Sequence, residues 1–272
     1  MPEIAEVETV KERLNNEVLN KRIKKVQIIY DKTIESDKNE FLEKLINEQF
    51  TQVLRRGKYL IFQTNNYDIV SHLRMEGRFY YKDSESPILK HEHIIISFDN
   101  NKELRYYDSR KFGRMCLLKK GEYINYPGIK KLGIEANSDK LTTKYLYGLL
   151  HNKTIAIKTA LLDQTIISGL GNIYDNEVLY AAGIDPSRPS NSISIAECEL
   201  IVKHSKRIID EAIKCGGTTI HSFESALGVT GGYQEYLVVH GNNGKPCPKC
   251  KTLIKKIKVN GRGTYYCPNC QK

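Results

Sequence analysis

The 272-residue sequence predicts an α+β multidomain protein: an amino-terminal helix leading into antiparallel strands, a helical domain, and a carboxy-terminal β-hairpin ribbon built on zinc. Three observations predict it. Helical spacing gives way to short runs rich in β-branched and aromatic residues after the first twenty or so residues and returns after Pro127 and Gly128. Cysteines at 247, 250, 267 and 270 form two CxxC knuckles sixteen residues apart. The chain is also near the upper limit for a single core, so two lobes or a core with an appendage are expected.

Ile4, Val7, Val10, Leu14 and Val18 share one face of a helix running from Glu3 to about Leu19. From Arg22 to Leu118 come RIKKVQIIY, KYLIFQT, YDIVSHLRM, EHIIISF, ELRYYDSR and GRMCLLKK, rich in β-branched and aromatic residues and separated by turn residues such as Asn65, Asn66, Asn100 and Asn101. They read as antiparallel strands of a sandwich or barrel. A brief helical interruption is expected near Asp37 to Asn47. After Gly128 the strand pattern ends, and LTTKYLYGLLH, IAIKTALLDQ, NIYDNEVLYAAG and ISIAECELIVKHSKRIIDEAIK read as helices. In TIISGLGN, Gly169 and Gly171 break the pattern before Asn172, which is placed to cap the next helix. That turn is either an ordinary helix hairpin or a phosphate site at a helix amino terminus. The glycines at 216, 217, 228, 231 and 232 mark a mobile loop before the ribbon.

The composition, 40% apolar and 27% charged, is that of a globular protein. No apolar run approaches a membrane span and the first residues are acidic, so a soluble, unexported protein is expected, with no membrane partner. The net charge is +10. Residues 242–272 hold Lys245, Lys249, Lys251, Lys255, Lys256, Lys258, Arg262 and Lys272 and no acidic residue, so +8 of it lies there and points to a polyanion. Cys116, Cys198 and Cys215 stand singly and read as small buried hydrophobes. The other four suit a structural Zn2+ better than disulfides, which a reducing compartment disfavours. Four thiolates leave no coordination position for water.

MPEIAEVETV, at the chain start, has two readings. Proline is well placed near a helix's first turn, with Glu3, Glu6 and Glu8 at the positive end of its dipole. Alternatively, removal of Met1 makes the Pro2 ring nitrogen a terminal secondary amine with a carboxylate beside it. An α-amino group titrates near ~8 and a lysine near ~10.4, so the terminal amine is far more often unprotonated and able to attack.

MPEIAEVET, RRGKYL, HLRMEGRF, YDSRKFGRM, LLDQTIISGLGNIY, the GGTT stretch and NGRGTYYCPNCQK with PCPKC follow one another in the order of the formamidopyrimidine-DNA glycosylase family, which the chain closely resembles nearly end to end. A departure is Ala5, where the family usually has proline. The resemblance implies a β-sandwich over residues 1–128, a helix-two-turns-helix domain with a lesion-capping loop over 129–240, and a zinc-ribbon finger over 241–272. It implies a bacterial, cytoplasmic, nucleoid-associated monomer of base excision repair, acting on double-stranded DNA that contains oxidised bases. Pro2 is implied as the nucleophile toward the damaged nucleotide's anomeric carbon, Glu3 as the acid at the sugar ring oxygen, and Lys58, contacting the phosphates and the lesion, and Arg262, on the phosphates, as further catalytic residues. Glu6 would support the pocket. Extrusion of the base leaves a hole that Met75 and Phe112 would fill while Arg110 reads the orphaned cytosine. His72, Lys153, Gly171 and Asn172 would grip phosphates, and Cys247, Cys250, Cys267 and Cys270 would hold the zinc. Taken singly, Met75 and Phe112 also read as core residues and Arg110 as a surface ion-pair partner. An endonuclease VIII-like enzyme for oxidised pyrimidines and a non-catalytic zinc-ribbon DNA-binding protein are the alternatives.

Overall fold

The computed structural model describes residues 1–218 and 231–272. The greater part of the expected mobile, lesion-capping loop, including Thr219 of the GGTT stretch, lies outside the described residues. The chain divides into two compact units, Met1–Lys130 with Gly216–Gly232, and Lys131–Cys215 with Tyr233–Lys272.

The first unit contains α1 (Ile4–Val18), β1 (Ile23–Ile28), α2 (Lys38–Lys44), β2 (Gln52–Arg56), β3 (Tyr59–Gln63), β4 (Tyr67–His72), β5 (Arg78–Asp83), β6 (Glu92–Phe98), β7 (Lys102–Tyr107), β8 (Arg114–Lys119) and α3 (Pro127–Lys130). Its strands form two antiparallel four-stranded sheets, ordered β1-β6-β7-β5 and β2-β3-β4-β8. Alternation decides which side chains meet: Leu60 and Phe62 of β3 face Phe79, Ile96 and Leu104 of the other sheet, and Val7, Val10, Leu14 and Val18 of α1 join that core. Ile61 and Val70 point the opposite way yet are equally buried, because Ile129, Tyr123 and Tyr126 cover them. The sandwich reading therefore holds over the barrel. Two strands, β2 and β5, escape a hydrophobic pattern, since QVLRR and RFYYKD carry charges at positions that pair in the ladder. Arg55 of β2 lies against Glu8 of α1, an ion pair that lets a guanidinium be nearly covered.

Helix α1 begins at Ile4 with Glu3 as its N-cap in a capping box with Glu6. Pro2 thus precedes the helix rather than sitting in its first turn. Helix capping accounts for Glu3 and Glu6 and gives no reason for the proline.

The second unit contains β9 (Ile134–Glu135), α4 (Thr143–Leu150), α5 (Ile157–Leu161), β10 (Ile167–Ser168), α6 (Asn172–Ala182), α7 (Ile195–Lys214), β11 (Lys255–Val259) and β12 (Arg262–Tyr266). Strand structure does not wholly end at Gly128: β9 and β10 pair in parallel over two residues each, too briefly to register as a pattern. Helix α6 buries Asp175, Asn176 and Glu177 beside its apolar residues. Its N-cap is Gly171 and its first residue Asn172, which corrects the expectation that Asn172 caps it. The asparagine side chain instead turns to the ribbon. Among the described residues no helix is long and apolar enough to cross a membrane.

Candidate active site

In the first unit the start of the chain is enclosed by carboxylates and a lysine. Pro2 is buried, and Glu3 and Glu6 are 3% and 5% exposed. Glu6 organises the cluster: one carboxylate oxygen accepts the Glu3 backbone N–H at 2.9 Å, and the other accepts the backbone N–H and hydroxyl of Thr218 at 2.7 and 3.0 Å. Gly217 makes that possible. It has φ of 78°, and a Cβ there would come within 2.8 Å of the Glu6 carboxylate. Lys58 sits in the two-residue turn between β2 and β3, after Gly57 at φ 56°, and is only 6% exposed. The Met1 amine is held below its ordinary value, by burial first and by the Lys58 charge as well, against the opposing pull of Glu3, Glu6 and Glu76. These surroundings favour an uncharged amine at the chain start.

His72 ends β4. Its Nδ1 accepts the Arg74 backbone N–H at 2.9 Å, so Nε2 carries the hydrogen, and its ring stands edge-on to Tyr59 with centroids 4.6 Å apart. Burial, reinforced by Arg74 and Lys58, drives its pKa down to about 3. His72 is therefore a neutral donor. His72→Gln is expected to leave the slope of log affinity against log salt unchanged, whereas Arg262→Gln lowers its magnitude by about 0.9. The same residue has a stability signature. The unfolded imidazole takes a proton near 6.5 and the folded one only near 3. The folded state is unpenalised above pH 6.5 and loses stability as pH falls from there toward 3, and His72→Gln flattens that part of a denaturant-midpoint profile.

The candidate wedge residues are neither core nor ion-paired surface. Phe112 is 48% exposed, Met75 is half-buried, and the exposed Arg110 guanidinium lies over the Phe112 ring at 4.8 Å from its centroid. Sequence reading missed what holds them. Asp108, fully buried, accepts backbone N–H groups from Arg110, Phe112 and Gly113 at 3.0, 2.9 and 2.7 Å. An Asp two residues before Arg110 in YDSRKFG is the available signal, because short acidic side chains commonly bind the backbone just ahead of them.

In the second unit Gly171, Asn172 and Arg262 come together. The hairpin turn Asn260–Gly261, with φ of 43° and 78°, presents Arg262 to solvent at the start of β12. Asn172 Nδ2 donates to the neighbouring Gly263 carbonyl at 3.1 Å, which ties the α6 amino terminus to the ribbon. Lys153 is half-buried beyond α4, where its carbonyl accepts the Asn191 N–H at 2.8 Å. Beneath α6, Lys158 donates to Asp175 at 3.0 Å and to Asn176 at 2.7 Å, with both charges wholly buried. Asn176 in turn bonds His240 at 2.7 Å. Lys158→Met takes the lysine charge away from the buried Asp175 and is expected to cost about 3–5 kcal/mol, read as a lower guanidinium midpoint.

The four ribbon cysteines fit a metal. Their sulfurs all lie within 4.8 Å of one another, with Cys247–Cys270 at 3.9 Å and Cys250–Cys267 at 3.4 Å. A tetrahedron of Zn–S bonds of about 2.3 Å needs sulfurs roughly 3.8 Å apart. The Tyr180 hydroxyl supports the site at 3.3 Å from Cys247 Sγ. The ribbon holds one structural Zn2+.

Comparison with known proteins agrees with this arrangement. The Formamidopyrimidine-DNA glycosylase N-terminal domain model matches residues 1–115, its H2TH domain model residues 132–224, and the zinc finger found in FPG and IleRS residues 244–272. The fold and these matches define a DNA-repair glycosylase with abasic-site lyase activity, carrying a zinc finger. Formamidopyrimidine-DNA glycosylases of Lactobacillus delbrueckii subsp. bulgaricus and Lactobacillus helveticus are 43% and 45% identical over 272 residues, covering the whole of this chain and 100% and 99% of theirs. The crystal structure of a Lactococcus lactis FPG mutant in complex with a Fapy-dG containing DNA superposes with a TM-score of 0.95 at 35% identity over 100% of both chains. The Lactococcus lactis Fpg complex with an abasic site containing DNA gives 0.93 at 36% over 99% of each. The chain belongs to the formamidopyrimidine-DNA glycosylase family.

Proposed function

We propose that the chain excises 8-oxoguanine and formamidopyrimidines paired with cytosine, with Pro2 as nucleophile once Met1 is removed. The observation that carries this reading is the burial of Pro2 beside the buried carboxylates of Glu3 and Glu6 and the buried Lys58, in surroundings that lower the Met1 amine next to it. In the first step the Pro2 nitrogen bonds to the anomeric carbon as the bond to the base breaks, and the proton the nitrogen sheds goes to the departing base. The nitrogen lone pair then opens the sugar ring as Glu3 gives its proton to the ring oxygen. The product is an iminium. Its positive charge withdraws electrons so that a proton leaves the adjacent sugar carbon and the two flanking phosphates depart in successive β- and δ-eliminations. Lys58 and Arg262 stabilise the departing phosphates, and His72, Lys153, Gly171 and Asn172 hold the backbone. Met75, Phe112 and Arg110 fill the vacated stack and read the cytosine.

On this reading residues 1–128 supply the nucleophile and the acid, and 129–240 and 241–272 chiefly grip the DNA, with Arg262 acting on the departing phosphates. The enzyme works as a cytoplasmic monomer, since one molecule per lesion needs no partner subunit. Borohydride should join the protein covalently to an 8-oxoguanine:cytosine duplex, with faster cleavage than of a thymine-glycol duplex. No covalent product from protein lacking Met1 sinks the mechanism, and a reversed preference sinks the substrate.

A further inference from the structure

Met75 and Phe112 stand on different turns of the first unit. The turn between β4 and β5 carries Met75 and is closed by the Gly77 N–H donating to the Leu73 carbonyl at 2.9 Å. The turn between β7 and β8 carries Arg110 and Phe112 and is held internally by Asp108. A wedge built from both must keep its parts in register to about 0.5 Å, or the vacated stack is filled by one side chain at a time. On the buried side the Tyr106 hydroxyl lies under both turns, where a Cβ at Gly77 or Gly113 would come within 2.4 or 1.6 Å of it. A second, part-buried link is direct: the Ser109 hydroxyl donates to Glu76 Oε2 at 2.6 Å. That bond joins the residue after Met75 to the residue before Arg110.

We propose that the Ser109–Glu76 hydrogen bond is a positioning tie that locks the two turns together, so that Met75, Arg110 and Phe112 enter the duplex as one unit. The inference rests on the glycosylase reading above. A hydroxyl donating to a carboxylate at this length is among the stronger hydrogen bonds, enough to resist separation of the turns while a base is forced out. Glu76 also pulls on the chain-start amine, whereas the duty assigned to the Ser109 bond is extrusion and partner-base discrimination.

The test is a double-mutant cycle in single-turnover excision of 8-oxoguanine opposite cytosine and opposite adenine, using the full chain with zinc. Ser109→Ala and Glu76→Ala should each slow excision opposite cytosine by about tenfold or more, and the double variant should be no slower than Glu76→Ala alone, because loss of Glu76 already removes the bond that Ser109→Ala removes. Ser109→Thr, which keeps the hydroxyl, should restore the rate, and the preference for cytosine over adenine should narrow in Ser109→Ala. Borohydride trapping of Ser109→Ala on a single-stranded abasic oligonucleotide, which has no stack to fill, should stay within about twofold of the parent. Multiplying losses in the double variant, an equal loss on the single-stranded substrate, or Ser109→Ala at the parent rate each overturn the tie. If the parent neither excises nor traps, the glycosylase reading falls and the tie with it. A working parent with an additive cycle removes the tie alone.

Discussion

Protein that retains Met1 is expected to give no borohydride-trapped product, whereas the same chain beginning at Pro2 traps on damaged duplex and cleaves it. An acylated ring nitrogen has no lone pair to give. Pro2→Gly still offers a terminal amine, but a primary one whose imine can lose its proton and with it the charge that drives elimination, so a rate loss of about a hundredfold or more follows. Glu3→Gln keeps the cap geometry and removes the proton, which places its loss at about 10²–10⁴. Trapping by the chain that begins at Pro2 should rise with pH as its terminal amine loses its proton, because only the unprotonated nitrogen attacks. Intact-mass measurement alongside trapping decides the matter. A chain that keeps Met1 and still traps sinks the assignment.

Removing zinc is the second large effect expected. The ribbon's own core is small: Cys247, Cys267 and Ile254 gather with Val239 and Tyr180, so two of those five buried residues are themselves metal ligands. Structural zinc contributes on the order of 10–16 kcal/mol to the folding of such modules, far more than this cluster supplies. Chelation, or Cys247→Ser, should therefore unfold the hairpin that presents Arg262 and break the Asn172 bond to Gly263. DNA affinity should fall about a hundredfold or more and the salt slope should flatten as organised phosphate contacts are lost. The sandwich should keep its own melting transition, since its core shares no residue with the ribbon's. Unchanged affinity in zinc-free protein overturns this.

Much of the molecule is legible residue by residue. The thiol spacing alone announces the metal, because two CxxC knuckles leave each pair of sulfurs close enough to share one ion. The β-branched and aromatic runs in KYLIFQT and EHIIISF announce strands, which the fold buries on both faces. The positive-φ pair Asn260–Gly261 is readable as a hairpin turn, and the charge imbalance of residues 242–272 is readable as an anion-seeking end. The motif series identified the family. Local pattern failed at β2 and β5, which are short and charged. It also failed at Asn172, whose expected cap role passed to Gly171 while its side chain found the Gly263 carbonyl ninety-one residues away.

The order of residues dictates the parts: helix, sandwich strands, helical domain, thiolate cluster, and which residue types could do chemistry. Their working arrangement exists only in the folded chain. Folding seated Pro2 outside the helix and under burial, aimed Glu6 at Thr218, made His72 a neutral donor, let Asp108 shape the Arg110–Phe112 turn, and joined that turn to the Met75 turn through Ser109 and Glu76. The difference is one of range. Periodicity and spacing act over a few residues, whereas desolvation of an amine and a hydrogen bond between residues 33 or 212 apart arise only after the chain has brought distant segments together.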